Sequence, residues 1–218
     1  MKKIKSFSFQ GIKGAYSEQA GIKLFLEAES IPCPTFEDMF DKVRAGEADA
    51  AMVPIENSLA GRVADTQRLI PESKLKITDE YFLEVNHNLI GIKGSTISDI
   101  RRIHSHEQGI AQCRNKIIAL KKEMVVEADT AGSAKMIAEK NNNEDAAIAS
   151  ELAAKIYDLE ILETNFQDSS NNVTRFLVMQ KELADIDPSS NEVLTTLVFT
   201  VRSMPSALYK CLGGFASN

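Results

Sequence analysis

The stretch RRIHSHEQGIAQCRNKIIALKKEMVVEADTAGSAKMIAEK, residues 101–140, runs through one pattern twice. Arg101–Ser105 predicts a strand, Gln108–Lys122 a helix, Met124–Val126 a strand and Ala131–Lys140 a helix. Downstream, the apolar run Ala146–Ala149 predicts a buried strand and Glu151–Tyr157 a helix. Upstream, Ile4–Phe9 reads as a strand that leads through Gly11-Ile12-Lys13-Gly14 into a helix from about Tyr16 to Ala28. Phe36–Ala45 is a second helix, with Phe36, Met39, Phe40 and Val43 at helical spacing and Gly46 as its stop. Ala50–Val53 is a buried strand that Pro54 is expected to end, Arg62–Ile70 is helical, and Leu75–Ile92 is extended. Repeated strand–loop–helix units predict an α/β fold with a mostly parallel sheet and helices on both faces. In such folds the ligand lies where strands feed helix N-termini. That directs attention to Gly11–Ser17, Pro54–Gly61, Ser105–Gln112 and Asp129–Ser133.

The 218 residues carry 44% hydrophobic and 26% charged side chains, an ordinary globular composition that excludes disorder and fibrous repeats. Net charge is −6, and the dense basic stretch is Met1-Lys2-Lys3-Ile4-Lys5, so a nucleic-acid partner is not expected. The following Ser6-Phe7-Ser8-Phe9-Gln10-Gly11 is too short and polar for a signal peptide, and no apolar run is long enough for a membrane span. Three dispersed cysteines, Cys33, Cys113 and Cys211, fit neither a disulfide framework nor a zinc ribbon, and a cytoplasmic setting is expected. Lys181–Asn191 is polar, with Asp187-Pro188-Ser189-Ser190-Asn191 marking a linker. Beyond it Leu194–Val201 predicts a strand and Pro205–Phe215 an amphipathic helix, too little to bury a core alone.

His104 and His106 share a face, but zinc needs three or four ligands and only Glu107 stands nearby, so polar loop histidines explain them and no metal is expected. Gly11-Ile12-Lys13-Gly14 fits neither phosphate-binding glycine motif, no serine occupies a nucleophile elbow, and Cys113 falls inside a predicted helix. Two stretches are richer in chemistry than turns require. Val53-Pro54-Ile55-Glu56-Asn57-Ser58-Leu59-Ala60-Gly61 puts an acid, an amide and a hydroxyl after a buried strand. Asn165–Phe176 is a polar loop between apolar segments, although solubility alone can explain such a loop.

Glu56-Asn57-Ser58-x-x-Gly61 and Asn172-x-Thr174-Arg175-Phe176, taken in order with Gly11–Ser17, His87-Asn88-Leu89, Ser105–Cys113 and Thr130–Ser133, resemble the prephenate dehydratase family. The resemblance covers about residues 4–181, with Glu107 where the family usually has proline. The tail resembles the opening of the family's regulatory ACT domain. The resemblance implies two α/β lobes around a cleft, like type II periplasmic ligand-binding proteins. Lobe I would take about 1–83 and 166–182 and lobe II about 84–165, with a linker at 183–193 and an incomplete ACT (ferredoxin-like) segment at 194–218.

The implied reaction, part of phenylalanine biosynthesis, removes water and carbon dioxide from prephenate to give phenylpyruvate. It needs no metal or cofactor, because the product ring becomes aromatic and the protein supplies geometry and help for the departing hydroxyl. By resemblance Thr174 is catalytic, its hydroxyl donating to that leaving group. Glu56, Asn57, Ser58, Ser105, Gln112, Asn172 and Phe176 are implied near substrate or threonine. Thr130, Ala131, Gly132 and Ser133 would hold a substrate carboxylate at a helix N-terminus. Arg175 would pair with a carboxylate, although strict strand alternation turns it away from Thr174 and leaves a structural salt bridge as the alternative. The family further implies a homodimer or homotetramer in full-length form. Ser206-Ala207-Leu208 resembles the first phenylalanine-binding motif of the ACT domain; the second is absent from this chain, so an incomplete effector site is expected. Two rival readings remain: arogenate dehydratase, which differs by an amine in place of the substrate keto group, and a non-catalytic sensor domain of the same fold.

Overall fold

Two alanine-rich runs, 50–53 and 146–149, are buried from end to end. Strands covered on both faces need apolar side chains at every position, so these runs do not alternate. Around them the computed structural model, which describes residues 3–183 and 194–217, builds two sheets. The chain begins with β1 (Ser6–Gln10), α1 (Tyr16–Leu24), β2 (Glu29–Cys33), α2 (Phe36–Ala45), β3 (Ala50–Asn57), β4 (Gly61–Arg62), α3 (Ala64–Ser73) and β5 (Lys76–Glu84). It continues with β6 (Asn88–Gly91), β7 (Arg102–His106), α4 (Glu107–Gln112), α5 (Arg114–Ala119), β8 (Glu123–Glu127), α6 (Thr130–Lys140), β9 (Asp145–Ala149), α7 (Glu151–Ile156) and β10 (Glu160–Glu163), then returns as β11 (Val173–Gln180). The first sheet has the order β2-β1-β3-β11-β5, with β4 beside β3, and the second has the order β10-β6-β9-β7-β8.

The two sheets share one plan. Three local strands stand in the order second, first, third; beside them lies the strand arriving from the other half, then the strand that leaves. This is the two-lobed, type II binding-protein-like architecture. Both sheets are mixed, which corrects the expected mostly parallel arrangement. β1 runs parallel to β2 and β3, and β7 to β8 and β9, whereas β11 is antiparallel to β3 and β5, and β6 to β9 and β10. Parallel neighbours require a crossover helix, and the strands that pass between lobes have none. The two passages bond to each other, Val85 N to Asn172 O at 2.8 Å and Phe166 N to His87 O at 2.6 Å.

Helices cover both faces of each sheet. Met39, Phe40 and Val43 of α2 pack with Leu69 of α3 against Ala51 and Val53, while Ala20 of α1 packs with Phe7, Phe9, Ala50 and Met52 on the opposite face. In the second sheet Ile110 and Ile117 cover Ile103 and Ile148, and Ala134, Ile137 and Ala153 cover Ala147 and Ala149. Helix α2 matches its expected bounds because Thr35 caps it, accepting from Asp38 N at 3.0 Å, and Gly46 ends it at φ 81°.

Pro54 does not end its strand. Phe176 stands opposite Pro54 and Arg175 opposite Glu56, so Ile55 is the extra residue of a bulge, where a proline without an N–H is tolerated. The predicted helix 108–122 is two helices. Buried Cys113 adopts φ −117° and ψ 10°, and the Asp168 carboxylate accepts from Asn115 N at 2.9 Å and Lys116 N at 3.2 Å, starting α5 afresh. Strands β2, β4 and β10 were not expected, and the end of the polar loop, 173–176, is part of β11.

Residues up to 184 form one compact unit and the remainder a second. The expected linker, apart from Leu183, lies outside the described residues. In the second unit α8 (Ala207–Ala216) is the expected helix. Leu194–Val201 carries no strand, since a strand needs a partner for its N–H and C=O groups and no ladder reaches it among the described residues. No helix among the described residues is long and apolar enough to cross a membrane.

The lobes also meet directly. Ser150 Oγ donates to Gly14 O at 2.6 Å and the Tyr157 hydroxyl to Lys13 O at 2.7 Å. Gly14 has φ +92°, and a Cβ there would come 2.8 Å from Ala153 Cα. Gly14→Ala is therefore expected to destabilise the protein by about 1–3 kcal/mol, through backbone strain and loss of this contact. Urea denaturation checks it; an unchanged midpoint would show that the contact contributes nothing.

Candidate active site

Strand register places the reacting candidates. Thr174 stands opposite Asn57, and Arg175 opposite Glu56. Directly opposed residues share a sheet face, and successive residues alternate. Thr174, Phe176 and Asn57 therefore look into the interlobe cleft, a cavity of about 410 Å³. Arg175 and Glu56 look the other way. Arg175 Nη1 meets Glu56 Oε1 at 3.0 Å, Nη2 meets Glu80 Oε2 at 2.7 Å, and the guanidinium lies over the Phe82 ring. The expected carboxylate clamp is thus a structural ion pair on the far face of β11, and neither partner lines the cleft. The hydrogen bond to Glu56 is the main reason that the Arg175 pKa is raised further.

Asn57 organises the threonine. Its Oδ1 accepts from Leu59 N at 3.0 Å and Ala60 N at 2.8 Å. Backbone N–H groups only donate, so the amide orientation is determined: its NH2 faces Thr174 Oγ1 at 2.9 Å and Asn172 Oδ1 at 2.7 Å. Thr174 accepts that bond and donates none to the protein among the described residues, which leaves its hydrogen available to a ligand. Asn172, 1% exposed, sits behind the cleft and donates from Nδ2 to Gln112 Oε1 at 2.9 Å. Gln112 itself lines the cavity.

The other expected residues divide. Thr130 lines the cavity, whereas buried Ala131 and half-buried Gly132 do not. Gly132 N donates to Asp129 Oδ1 at 2.5 Å, so the chain's own carboxylate occupies the helix end expected to take the substrate's. Ser133 donates to Asp129 O at 2.8 Å. Ser105 is fully buried; its hydroxyl donates to Ile148 O at 2.9 Å and lies under Gly109, where a Cβ would come 2.5 Å from Oγ. Ser105 thereby ties β7 to β9 without reaching the cleft. Ser58 accepts from Val173 N at 2.9 Å and donates to Asn171 O at 2.8 Å, pinning the loop before Thr174.

Tyr16, His87 and Asp129 line the cleft within the stretches Gly11–Ser17, His87-Asn88-Leu89 and Asp129–Ser133 that the sequence reading marked, although it gave none of the three an individual role. The Tyr16 hydroxyl is 2.7 Å from His87 Nδ1, and His87 Nε2 is 2.7 Å from Gln112 Oε1. Burial lowers the His87 pKa and raises that of Tyr16 well above the ordinary phenol value, so both are neutral at pH 7. Tyr16 and His87 are 71 residues apart, beyond any local pattern; a helix-capping reading of Asp129-Thr130-Ala131-Gly132 would have found Asp129. His104 lies in the second sheet, with Nδ1 2.9 Å from Glu127 Oε1, and His106 caps α4. Burial pushes the Cys113 thiol up to about 12, which makes it inert as a nucleophile.

A two-lobed α/β domain with a polar, hydrogen-bonded cleft built around a threonine hydroxyl defines a class of small-molecule-binding enzyme domains. The prephenate dehydratase family profile matches residues 7–184, and the chain belongs to that family. It is 46% identical over 210 residues to a bifunctional N-acyl-homoserine lactone acylase/prephenate dehydratase of Komagataeibacter europaeus, covering 96% of this chain and 75% of the relative. It is 42% identical over 210 residues to the chloroplastic arogenate dehydratase/prephenate dehydratase 2 of Arabidopsis thaliana, covering 96% of this chain and 55% of that one. The structure of an Arthrobacter aurescens prephenate dehydratase in complex with L-Phe superposes with a TM-score of 0.84 at 31% identity, over 97% of this chain and 72% of the other.

Proposed function

We propose that the chain is a carbon–oxygen lyase that converts prephenate to phenylpyruvate, with residues 1–182 as the catalytic unit and Thr174 as the catalytic hydroxyl. The observation that carries this reading is the Asn57–Thr174 pair at 2.9 Å on the cleft wall. In the reaction the bond from the ring to its carboxylate breaks and releases CO2. The electron pair moves into the ring, the C4–O bond breaks, and the departing oxygen takes a proton to become water. Negative charge develops on that oxygen, and a donor already oriented towards it stabilises the transition state without reorganisation. Asn57 fills an acceptor site on Oγ1, so the remaining hydrogen is directed to the substrate. Tyr16 and Phe176 supply cleft wall against the ring. The assignment of residues 194–218 to an ACT-like segment rests on the Ser206-Ala207-Leu208 resemblance. Following prephenate consumption and phenylpyruvate formation tests the activity; binding without turnover would leave the sensor reading instead.

One observation favours arogenate as a second substrate. Asp129 lines the cleft, with Oδ1 held by Gly132 N, and no donor among the described residues bonds its Oδ2. A carboxylate there complements the ammonium that distinguishes arogenate from prephenate. Asp129→Asn keeps the helix cap, since asparagine serves as well at that position, but removes the charge. It is expected to lower kcat/KM for arogenate relative to prephenate by about twofold to fivefold, as for a partly exposed ion pair. Parallel assays of both substrates check this, and an unchanged ratio would remove Asp129 from substrate selection.

A further inference from the structure

We propose that His87 and Tyr16 are positioning residues: the bonds from Tyr16 through His87 and from Asn57 through Asn172 converge on Gln112 Oε1, in one network that aims the Thr174 hydroxyl into the cleft. The inference rests on the assignment of Thr174 as the reacting hydroxyl. The direction of each bond follows from the donors and acceptors alone. Leu59 N and Ala60 N hold Asn57 Oδ1, so Asn57 donates to Thr174 Oγ1 and to Asn172 Oδ1. Asn172, having presented its oxygen to Asn57, presents Nδ2 to Gln112, whose oxygen therefore points at both Asn172 and His87. An amide oxygen only accepts, so His87 must carry hydrogen on Nε2. With His87 neutral, Nδ1 is then an acceptor, and the Tyr16 hydroxyl donates to it at 2.7 Å in preference to Asn86 O at 3.2 Å, since two lone pairs cannot face each other at the shorter distance. Two backbone N–H groups in the turn after β3 thus dictate the tautomer of a histidine that lies on the passage between the lobes.

His87 is 3% exposed, and its own N–H is held by Gln167 Oε1 at 2.9 Å, so the ring cannot swing out without breaking the passage. The network also crosses between the lobes: Tyr16 and Asn57 belong to elements of the first sheet's lobe, Gln112 to the second, and His87 and Asn172 to the two passages.

The test has two arms, one independent of turnover. Nitrogen-15 NMR of the histidine side chains in the wild-type protein at pH 7.5 is expected to show His87 neutral and protonated on Nε2. Asn57→Asp reverses the demand at one end of the network, since a carboxylate only accepts. Asn172 and Gln112 then turn over, and His87 is expected to change to the Nδ1–H tautomer. A charged or Nδ1–H His87 in the wild type overturns the inference, as does an unchanged tautomer in a folded Asn57→Asp protein. In the second arm His87→Ala is expected to lower kcat about tenfold with KM changed less than twofold, and His87→Gln, whose amide N–H replaces Nε2–H, to recover most of that loss. A rise in KM alone would mark His87 as a substrate contact and overturn the positioning role. If the wild type turns over neither prephenate nor arogenate, the functional reading fails while the tautomer result still stands or falls by itself.

Discussion

Replacing Thr174 by alanine is expected to reduce turnover by roughly 10²–10³-fold while leaving the fold intact, because the variant removes a donor to a developing oxyanion. That rate loss corresponds to about 2.7–4 kcal/mol of transition-state stabilisation. The structural cost is smaller, about 1 kcal/mol for a lost neutral hydrogen bond. Asn57 Nδ2 keeps acceptors in Asn172 Oδ1 at 2.7 Å and Val173 O at 3.3 Å, so no buried donor is orphaned. Steady-state kinetics with circular dichroism on the same samples separates the two effects. Thr174→Ser retains the hydroxyl and should keep measurable activity, reduced by the added rotamer freedom of the smaller side chain. Wild-type turnover in the alanine variant would remove Thr174 from the mechanism.

Asn57→Asp is expected to cost nearly as much, about 10²-fold in kcat, although it changes one atom. The carboxylate keeps both bonds from Leu59 N and Ala60 N, so the turn that follows β3 survives. What it cannot do is donate. Thr174 Oγ1, 2.9 Å away, then satisfies itself by donating to the carboxylate, and its hydrogen is withdrawn from the cleft. Asn57→Ala, by contrast, loses the turn bonds as well and should lower stability along with activity. The discriminating measurement is kcat beside the urea midpoint for both variants: a folded Asn57→Asp protein with full kcat would show that the direction of this bond is immaterial.

The sequence made the alternating αβ organisation legible because period and punctuation are local. Helix α2 could be bounded from Phe36 to Gly46 because its apolar stripe and its terminal glycine both lie within a dozen residues. The same reading stopped β3 at Pro54. Whether a proline ends a strand depends on what the partner strand offers, and here a bulge opposite Arg175 and Phe176 absorbs it. The strand predicted at Leu194–Val201 failed for a related cause: its Thr, Val, Phe and Leu side chains suit a strand, but pairing is a property of a neighbour.

The chemistry divides along the same line. The motifs Glu56-Asn57-Ser58 and Asn172-x-Thr174-Arg175-Phe176 could be singled out from the sequence, and the family resemblance they carry implied that Asn57 lies near the substrate or the threonine. It could not say which members of each motif face the cleft. Tertiary structure decided that, through the register of β11 on β3. One face carries Asn57 and Thr174, and the other locks Glu56 and Arg175 into an ion pair. Tyr16, His87 and Gln112 come from distant parts of the chain, and their bonds form only where the two lobes and their passages meet. A hydrogen-bond donor or acceptor is written in a residue's identity. Its direction depends on which other groups lie within about 3 Å, and for residues so far apart only the folded lobes supply those neighbours.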